Sequence, residues 1–342
     1  MQNSEDLQII MLNLRQRINR IKIKLGYHLG MSKVSSMPKM VTVEPTNHCN
    51  LKCPMCPTGI GDDSVKQGLL PLKEFKNLVN RLGKWTQTMQ MFSWGEPTLN
   101  KSFGQMVQYA SNPPYNIRTI TSVNLNVVSD KQIEELVTSG LDQISISIDG
   151  ASQESYEKYR IGGDINNVLA NMKKLVAVRN KHNSKLRIMW NFIVMKQNEH
   201  ELDQARAMAA EIGIPINFHH VIADLKDDIL KPLEENLEKN SEWFPDNPDY
   251  MPYDLKEKTR KKTMDRCKRP WSEIFVNWNG DVFPCSCIQA DAQYRMGNIF
   301  EQEFDEVWNG PKYIAARKEL LGQDNDIDTI CKTCKENGFY SP

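Results

Sequence analysis

The 342-residue sequence predicts an α/β fold, namely a partial (β/α)6 TIM-like barrel followed by a small C-terminal unit of one hairpin and a helix. Three observations lead to this prediction. Six short β-rich segments alternate with helical patterns between residues 40 and 222, a cysteine run follows the first segment, and the pattern changes after residue 266. Six such segments indicate a parallel sheet with right-handed crossovers, and they are too few to close an eight-fold barrel.

The predicted strands are short and rich in β-branched and other apolar residues. They lie at 40–44, 89–92, 118–122, 143–148, 187–194 and 216–221. Helical spacing of apolar residues fills the intervals between them, at 72–82, 102–111, 130–139, 165–181 and 199–212. In such folds the chemistry lies at the carboxyl ends of the strands, where the cysteine run is found.

Residues 1–39 contain a basic amphipathic helix at 5–26. Its apolar residues fall on one stripe: Leu7, Ile10, Met11, Leu14, Ile18, Ile21 and Leu25. The other positions carry several arginines and lysines. We expect the helix to cap the open end of the barrel, and a peripheral contact with a membrane or a partner protein is the alternative.

The barrel segment, 40–222, is followed by two further regions. Residues 223–266 are rich in Lys, Glu and Asp with several prolines, which is typical of a solvated linker or a lid. In the last region, 267–342, two short strands flank Asn279-Gly280, a strong hairpin signal, and a helical stretch follows from about 303 to 321.

Composition narrows the class of protein. The 43 basic and 43 acidic residues balance, so no global field favours nucleic acid. We find neither a run of 18 apolar residues nor the apolar core of a signal peptide, and we therefore expect a cytoplasmic protein. The eight cysteines are clustered, which favours metal ligation over disulfides.

Cys49, Cys53 and Cys56 form a Cys-x3-Cys-x2-Cys run on the loop after the first strand. Three thiolates at this spacing can hold three irons of a [4Fe–4S] cube and leave the fourth iron without a protein ligand. A zinc knuckle is the structural alternative. It would need a fourth Cys or His nearby, and His48 is poorly placed because it is adjacent to Cys49.

This run resembles the signature of the radical S-adenosylmethionine (SAM) enzymes, and the resemblance extends over nearly the whole chain after residue 40. It implies a SAM-binding [4Fe–4S] cluster, SAM as cofactor, and an electron donor such as flavodoxin or ferredoxin. Family members usually carry an aromatic residue before the last cysteine, packed on the adenine. Met55 replaces it here, and its apolar, polarizable side chain could fill the same place.

Other segments at the ends of predicted strands resemble the SAM contacts of this family. Gly95-Glu96-Pro97 resembles the segment that holds the methionine amino group, although Trp94 replaces its first glycine. By the same resemblance, Asn124 stands at a conserved turn, Ser147 would reach the ribose, and Arg160 would pair with the carboxylate. A turn-forming Asn, a buried Ser and a surface Arg are the structural alternatives.

A second cysteine group lies in residues 267–342. Cys267, Cys285, Cys331 and Cys334 could supply four thiolates to either zinc or a fully ligated [4Fe–4S] cluster. The surrounding segments resemble the SPASM and shortened twitch domains of radical SAM enzymes, which implies one auxiliary [4Fe–4S] cluster. Cys287 is left over, as a structural thiol, an alternative ligand or a reactive group.

The resemblance implies that a 5′-deoxyadenosyl radical takes a hydrogen atom from the substrate. An auxiliary cluster with four protein ligands would then accept the remaining electron, so we expect dehydrogenation of a small molecule: a carbohydrate, an aminocyclitol or a nucleotide-linked compound. Peptide modification, epimerisation and decarboxylation are alternatives, and a nonenzymatic zinc-binding module is the alternative of another class. His219, His220 and Cys287 are weak candidates for a catalytic role near the substrate.

Overall fold

Six parallel strands form the sheet that the alternating pattern predicts. In the computed structural model, which describes residues 2–61, 65–223, 230–285 and 292–339, each strand pairs with the next along the chain. They are β1 Met40–Val43, β2 Thr88–Gln90, β3 Arg118–Val123, β4 Gln143–Ser147, β5 Arg187–Val194 and β6 Ile216–His220. Within the described residues β6 pairs with β5 and ends the sheet, which confirms the open α/β class.

Helices precede the first strand and connect the others. They are α1 Gln2–His28, α2 Leu72–Leu82, α3 Phe103–Ser111, α4 Asp130–Thr138, α5 Gln153–Tyr159, α6 Ile165–Lys181 and α7 Leu202–Ile212. The predicted limits agree with most of them to within three residues. The sequence did not predict α5, because its seven residues are too few to show a helical period.

Short-range signals set where these helices begin and end. The side chain of Ser129 accepts a hydrogen bond from the backbone of Gln132 in a capping box that starts α4. Helix α7 stops at Gly213, whose φ of 78° belongs to the left-handed region that favours glycine.

Side chains alternate between two environments along the strands. On β1, Val41 and Val43 are fully buried on the side that the helices cover, whereas Met40 and Thr42 line a cavity on the inner side of the sheet. We call this inner side the lumen. Thr42 donates a hydrogen bond to Oε1 of Gln90 on the neighbouring strand β2, at 2.9 Å, so the lumen carries polar side chains.

The interval predicted as a solvated linker or lid is more ordered than its charge content suggests. It contains α8 Leu233–Lys239, β7 Tyr253–Asp254 and β8 Thr259–Arg260. Several of its apolar side chains are buried in one cluster with the cysteine loop: Leu237, Trp243, Phe244, Met251 and Tyr253. These few large residues give the interval a packed face that its average composition conceals.

The C-terminal hairpin extends the sheet of the barrel. After the short helix α9 Arg269–Ser272, the strands β9 Glu273–Val276, β10 Asp281–Phe283 and β11 Gly297–Asn298 follow. Strand β9 pairs in parallel with β1, and the sheet order becomes β11-β10-β9-β1-β2-β3-β4-β5-β6. The sequence predicted the hairpin but not this pairing.

Three helices complete the chain: α10 Phe304–Trp308, α11 Pro311–Leu320 and α12 Ile330–Glu336. The single helix predicted at 303–321 is divided at Gly310-Pro311, because proline favours the first position of a new helix. The buried Arg317 of α11 donates hydrogen bonds to the backbone oxygens of Pro270 and Ser32, at 2.8 and 3.0 Å. Helix α11 is thereby tied to α9 and to the segment after α1.

Helix α1 lies at the amino ends of β1 and β2. The side chain of Asn19 exchanges two hydrogen bonds with the backbone of Met37, and Gln16 donates one to the backbone oxygen of Thr86. The helix is therefore at one end of the sheet, as a cap would be. Gln16 and Asn19 make this contact, however, and the described residues of the apolar stripe are exposed.

Candidate functional site

The loop that carries the first three cysteines is fixed to its surroundings before the first cysteine is reached. Thr46 Oγ1 donates to the backbone oxygen of Gly68, and Asn47 Oδ1 accepts from the backbone N–H of Gly68, both at 2.8 Å. The side chain of Asn100 donates to the backbone oxygen of Pro45 at 2.8 Å. These bonds hold the loop at the carboxyl end of β1.

The three thiols lie on one short stretch of this loop. Cys53 is buried, and Cys49 and Cys56 are half-buried. Polar groups approach two of the sulfurs: Nη1 of Arg160 lies 3.8 Å from Cys53 Sγ, and Nδ2 of Asn124 lies 3.9 Å from Cys49 Sγ. Such donors stabilise a thiolate more than a thiol, which suits sulfurs that bind iron.

Burial raises the pKa values of two of these thiols. Burial raises the pKa of Cys49 to about 12, and the nearby Glu96, Cys53 and Cys56 add to the rise. Burial also raises the pKa of Cys53, against the opposing charge of Arg160. Cys49 and Cys53 thus stay protonated at neutral pH unless a metal displaces the protons.

The surroundings of the three cysteines fit an iron–sulfur cluster. The cysteines lie in an apolar cluster with Leu51 and Met55, which would shield a cluster from water. Across the described ranges, no group of three or more Cys, His, Asp or Glu side chains is arranged to hold one metal ion. Three thiols on separate corners match three irons of a cube.

Gly95 and Glu96, which the sequence singled out, pack directly on the cysteine loop. A Cβ atom on Gly95 would lie 2.0 Å from the backbone oxygen of Thr46, so no larger residue fits there. The backbone N–H of Glu96 donates to the backbone oxygen of His48 at 2.8 Å. Pro97 follows at the first position of a short 3-10 helix.

The buried carboxylate of Glu96 connects two predicted site residues. Its Oε2 accepts from the backbone N–H of Asn124 at 2.6 Å, and its Oε1 accepts from the hydroxyl of Thr98 at 2.6 Å. The Asn124 side chain donates to Oδ1 of Asn50 within the cysteine loop at 2.9 Å. Glu96 and Asn124 therefore join the ends of β2 and β3 to the cysteines.

Arg160 has a protein partner in this structure. Its Nε donates to Oδ2 of the fully buried Asp149 at 2.6 Å, and Oδ1 of Asp149 accepts from the backbone of Ile193. The Asp149 charge, opposing the effect of burial, holds the pKa of Arg160 well above its usual range. The sequence did not predict this ion pair, and the role of Arg160 toward a SAM carboxylate stays a prediction.

Ser147 stands in the lumen with other uncharged polar residues. Its hydroxyl oxygen lies 3.2 Å from that of Ser122 on β3. In register with it are Asn191 on β5 and Asn217 on β6. Residues in register on parallel strands project to the same side, so a polar row crosses four strands, β3 to β6.

His219 and His220 end β6 and are both exposed. Burial of part of the ring lowers the pKa of His219, while the Asp149 charge acts in the opposite direction. His220 lies beside the ring of Tyr250, with ring centroids 6.3 Å apart. His219 is thus close enough to the buried Asp149 for their charges to interact.

Glu44 is a site residue that the sequence analysis missed. It follows β1 and is almost fully buried, and its Oε1 has no hydrogen-bond partner among the described residues. Burial raises its pKa to about 7, although backbone N–H groups of Trp278 and Trp94 oppose the rise. A charged residue directly after a β-branched strand and before the cysteine loop was the signal that could have found it.

We expect Glu44 to make stability fall as pH rises. Its pKa is raised from 4.5 to about 7, so the stability linked to its proton is present below pH 4.5 and lost as pH passes 7. The free energy of unfolding of the wild type should fall by about 2.5 kcal/mol between about pH 5 and about pH 8 because of this group, and that of the neutral variant Glu44→Gln should not. Urea unfolding of both proteins across this pH range measures the free energy of unfolding. The same dependence on pH in both proteins would contradict the raised pKa of Glu44.

The second cysteine group gathers around α12. Cys331 is buried, and its pKa is raised well above the usual range by burial and by the nearby Cys267 and Cys334. Cys285 lines a cavity on the lumen side with Thr42, Gln90 and Glu273. The charges of Cys285 and Cys331 both act on the buried Tyr313. Cys287 lies outside the described residues.

Two segments of the chain match known families. Residues 43–209 match the radical SAM superfamily, and residues 267–335 match the SPASM iron–sulfur cluster-binding domain. The first segment contains the three-cysteine loop and most of the parallel sheet. The second contains Cys267, Cys285, Cys331 and Cys334.

Curated relatives cover most of the chain at low identity. The AdoMet-dependent heme synthase of Methanosarcina barkeri is 23% identical over 350 residues, covering 90% of this chain and 94% of that protein. The PqqA peptide cyclase of Rhizobium meliloti is 24% identical, covering 87% of this chain and 80% of that protein. Their names indicate different substrates, so similarity alone does not select one.

Solved structures share the fold. Streptococcus suis SuiB bound to its precursor peptide SuiA superposes with a TM-score of 0.63 at 14% identity, over 93% of this chain and 77% of SuiB. The structure of anSMEcpe with bound AdoMet gives a TM-score of 0.55 at 16% identity, over 88% of this chain and 96% of that one.

Proposed function

Because the chain belongs to the radical SAM superfamily and carries a SPASM domain, as its sequence predicts, we propose that it dehydrogenates a polar small molecule. The substrate class is a carbohydrate, an aminocyclitol or a nucleotide-linked compound. The observation that carries this proposal is the polar row of Ser122, Ser147, Asn191 and Asn217. Hydroxyl and amide side chains both donate and accept, as recognition of a hydroxylated ligand requires.

The row is long enough for two ligands side by side. It spans three strand spacings, about 14 Å. Ser122 and Ser147 suit the ribose of SAM. They lie on the strands nearer the cysteine loop, to which Asn124 at the end of β3 is hydrogen-bonded. Asn191 and Asn217, on the strands nearer the open edge, suit hydroxyl groups of the substrate.

The chain's own residues would hold and screen the cofactors. Cys49, Cys53 and Cys56 would bind the SAM-binding [4Fe–4S] cluster, and the second cysteine group an auxiliary cluster. When bound, these groups and SAM supply hydrogen-atom abstraction and an acceptor for the substrate's remaining electron. The apolar cluster around the loop would exclude water, and Glu44 and His219 are candidate proton acceptors.

The product should be two hydrogens lighter than the substrate, with one SAM consumed for each turnover. Anaerobically reconstituted protein would be reduced and assayed with aminocyclitols, sugar nucleotides and short peptides. A substrate deuterated at the reacting carbon should transfer one deuterium to 5′-deoxyadenosine. Mass spectrometry of both products measures these outcomes.

A product of unchanged mass that gains one deuteron in deuterium oxide would contradict dehydrogenation and indicate epimerisation. Loss of carbon dioxide would indicate decarboxylation. Either result would leave the family assignment intact, because 5′-deoxyadenosine would still form.

Peptide modification is the second candidate. The similarity to a PqqA peptide cyclase over 87% of this chain favours it. A short peptide that alone raises 5′-deoxyadenosine formation, while the sugars and cyclitols leave it unchanged, would select this candidate. Neighbouring genes provide an independent indication, since a short precursor gene favours a peptide and sugar-pathway genes favour the first proposal.

A further inference from the structure

Helix α1 exposes its apolar stripe to solvent. The stripe residues whose side chains are described are 45 to 62% exposed: Ile10, Met11, Leu14, Ile18, Ile21 and Leu25. At 100° per residue they fall within a sector of about 100°. Single exposed apolar residues are ordinary, but six on one continuous face indicate an interaction surface.

The opposite side of α1 anchors the helix to the protein. Ile23 and Tyr27 are buried there, and Gly26 lies close to Trp271. The ring of Tyr27 packs edge-on against Trp271 and under the guanidinium of Arg266, 4.1 Å from the ring centroid. The apolar stripe is therefore held outward by contacts of its own helix.

Basic residues flank the stripe on both sides. Arg15 and Lys22 lie along one edge, and Arg17 and Lys24 lie along the other, as the helical period places them. Residues 7–28 contain neither Asp nor Glu, although the whole chain has zero formal net charge. The positive charge is thus concentrated where the apolar surface is exposed.

We propose that α1 binds the surface of a membrane that contains anionic lipids, with its stripe in the acyl boundary and its flanking cations at the headgroups. This arrangement is typical of interfacial helices. Among the described residues no helix is long and apolar enough to cross a bilayer, so α1 lies on the surface. A second copy on the same stripe would bring the cations of both copies together without acidic partners, which charge disfavours.

The location of α1 leaves the functional site accessible. The helix contacts Met37 and Thr86 at the amino ends of β1 and β2, whereas Cys49 follows the carboxyl end of β1. A membrane-bound protein would therefore direct its cysteine loop and lumen opening away from the lipid. This proposal is independent of the reaction catalysed.

Flotation of the full chain with vesicles tests the proposal. The protein should float with phosphatidylcholine vesicles that contain about 30% phosphatidylglycerol and stay behind with pure phosphatidylcholine, and added salt should weaken binding. The double variant Ile21→Glu with Leu25→Glu should lower the bound fraction about tenfold. Leu255→Glu is the matched control, since Leu255 is 52% exposed and Leu25 is 51% exposed.

Circular dichroism of the three proteins confirms that each is folded. Equal binding to both vesicle types, binding to neither, or unchanged binding of the double variant would overturn the proposal. A wild-type dimer in light scattering that the double variant converts to a monomer would also overturn it, because the stripe would then be a contact between copies.

Discussion

Replacing Cys49, Cys53 and Cys56 together by alanine is expected to abolish 5′-deoxyadenosine formation. The three thiols form the proposed ligand set of the SAM-binding cluster, and the loop supplies them at the carboxyl end of β1. The fold should persist, because the loop is held by Thr46, Asn47 and Asn100 rather than by sulfur. High-performance chromatography of the reduced reaction with SAM measures the product.

The same variant separates the two cysteine groups. Cys267, Cys285, Cys331 and Cys334 should still hold about four irons with the visible absorbance of an iron–sulfur cluster. One zinc and no iron there would remove the proposed electron acceptor. Undiminished 5′-deoxyadenosine formation would contradict the role given to the first group.

Gly95→Ala is expected to lower SAM cleavage about a hundredfold, because small displacements of a reacting group are that costly. The new methyl group would meet the Thr46 oxygen at 2.0 Å and the Cα of Asn47 at 2.7 Å. Both atoms belong to backbone that cannot yield without moving the cysteine loop. The rate of 5′-deoxyadenosine formation, together with iron content, measures the effect.

Gly104→Ala provides the matched control. A Cβ atom there would meet the Cβ of Glu135 at 3.1 Å, a contact that small shifts of the helices can relieve. This variant should keep nearly full activity. Equal losses in both variants would mean that general stability, rather than loop position, is responsible.

Local sequence patterns predicted the barrel strands because each carries its own signal. Buried apolar residues alternate with lumen residues on β1 and β5, and helical periods fill the gaps. Helix α5 was not predicted, because seven residues are too few to show a helical period. The pairing of β9 with β1 was not predicted either. It joins residues more than 200 positions apart, and a local sequence pattern does not indicate which strand a given strand pairs with.

Sequence analysis could identify the candidate site residues that belong to a recognisable motif. It missed those that only the fold brings together. Gly95, Glu96 and Asn124 lie against the cysteine loop, as their positions at strand ends suggested. The Asp149–Arg160 ion pair forms because the end of α5 packs near the end of β4, and the sequence spacing of the two residues does not predict this packing. For α1, the sequence identified the stripe but not the side of the helix that the protein covers.

The pairing of β9 with β1 has a consequence for electron transfer. The first cysteines follow the carboxyl end of β1, while Cys267 precedes β9 and Cys285 lies near Met40 at the other end. A strand of four residues, about 13 Å long, therefore lies between the two groups. Backbone hydrogen bonds fix this length, so the two redox centres would keep a constant separation through turnover. Any closure over a substrate would then come from movement of the loops at the carboxyl ends of the strands rather than from a hinge between domains.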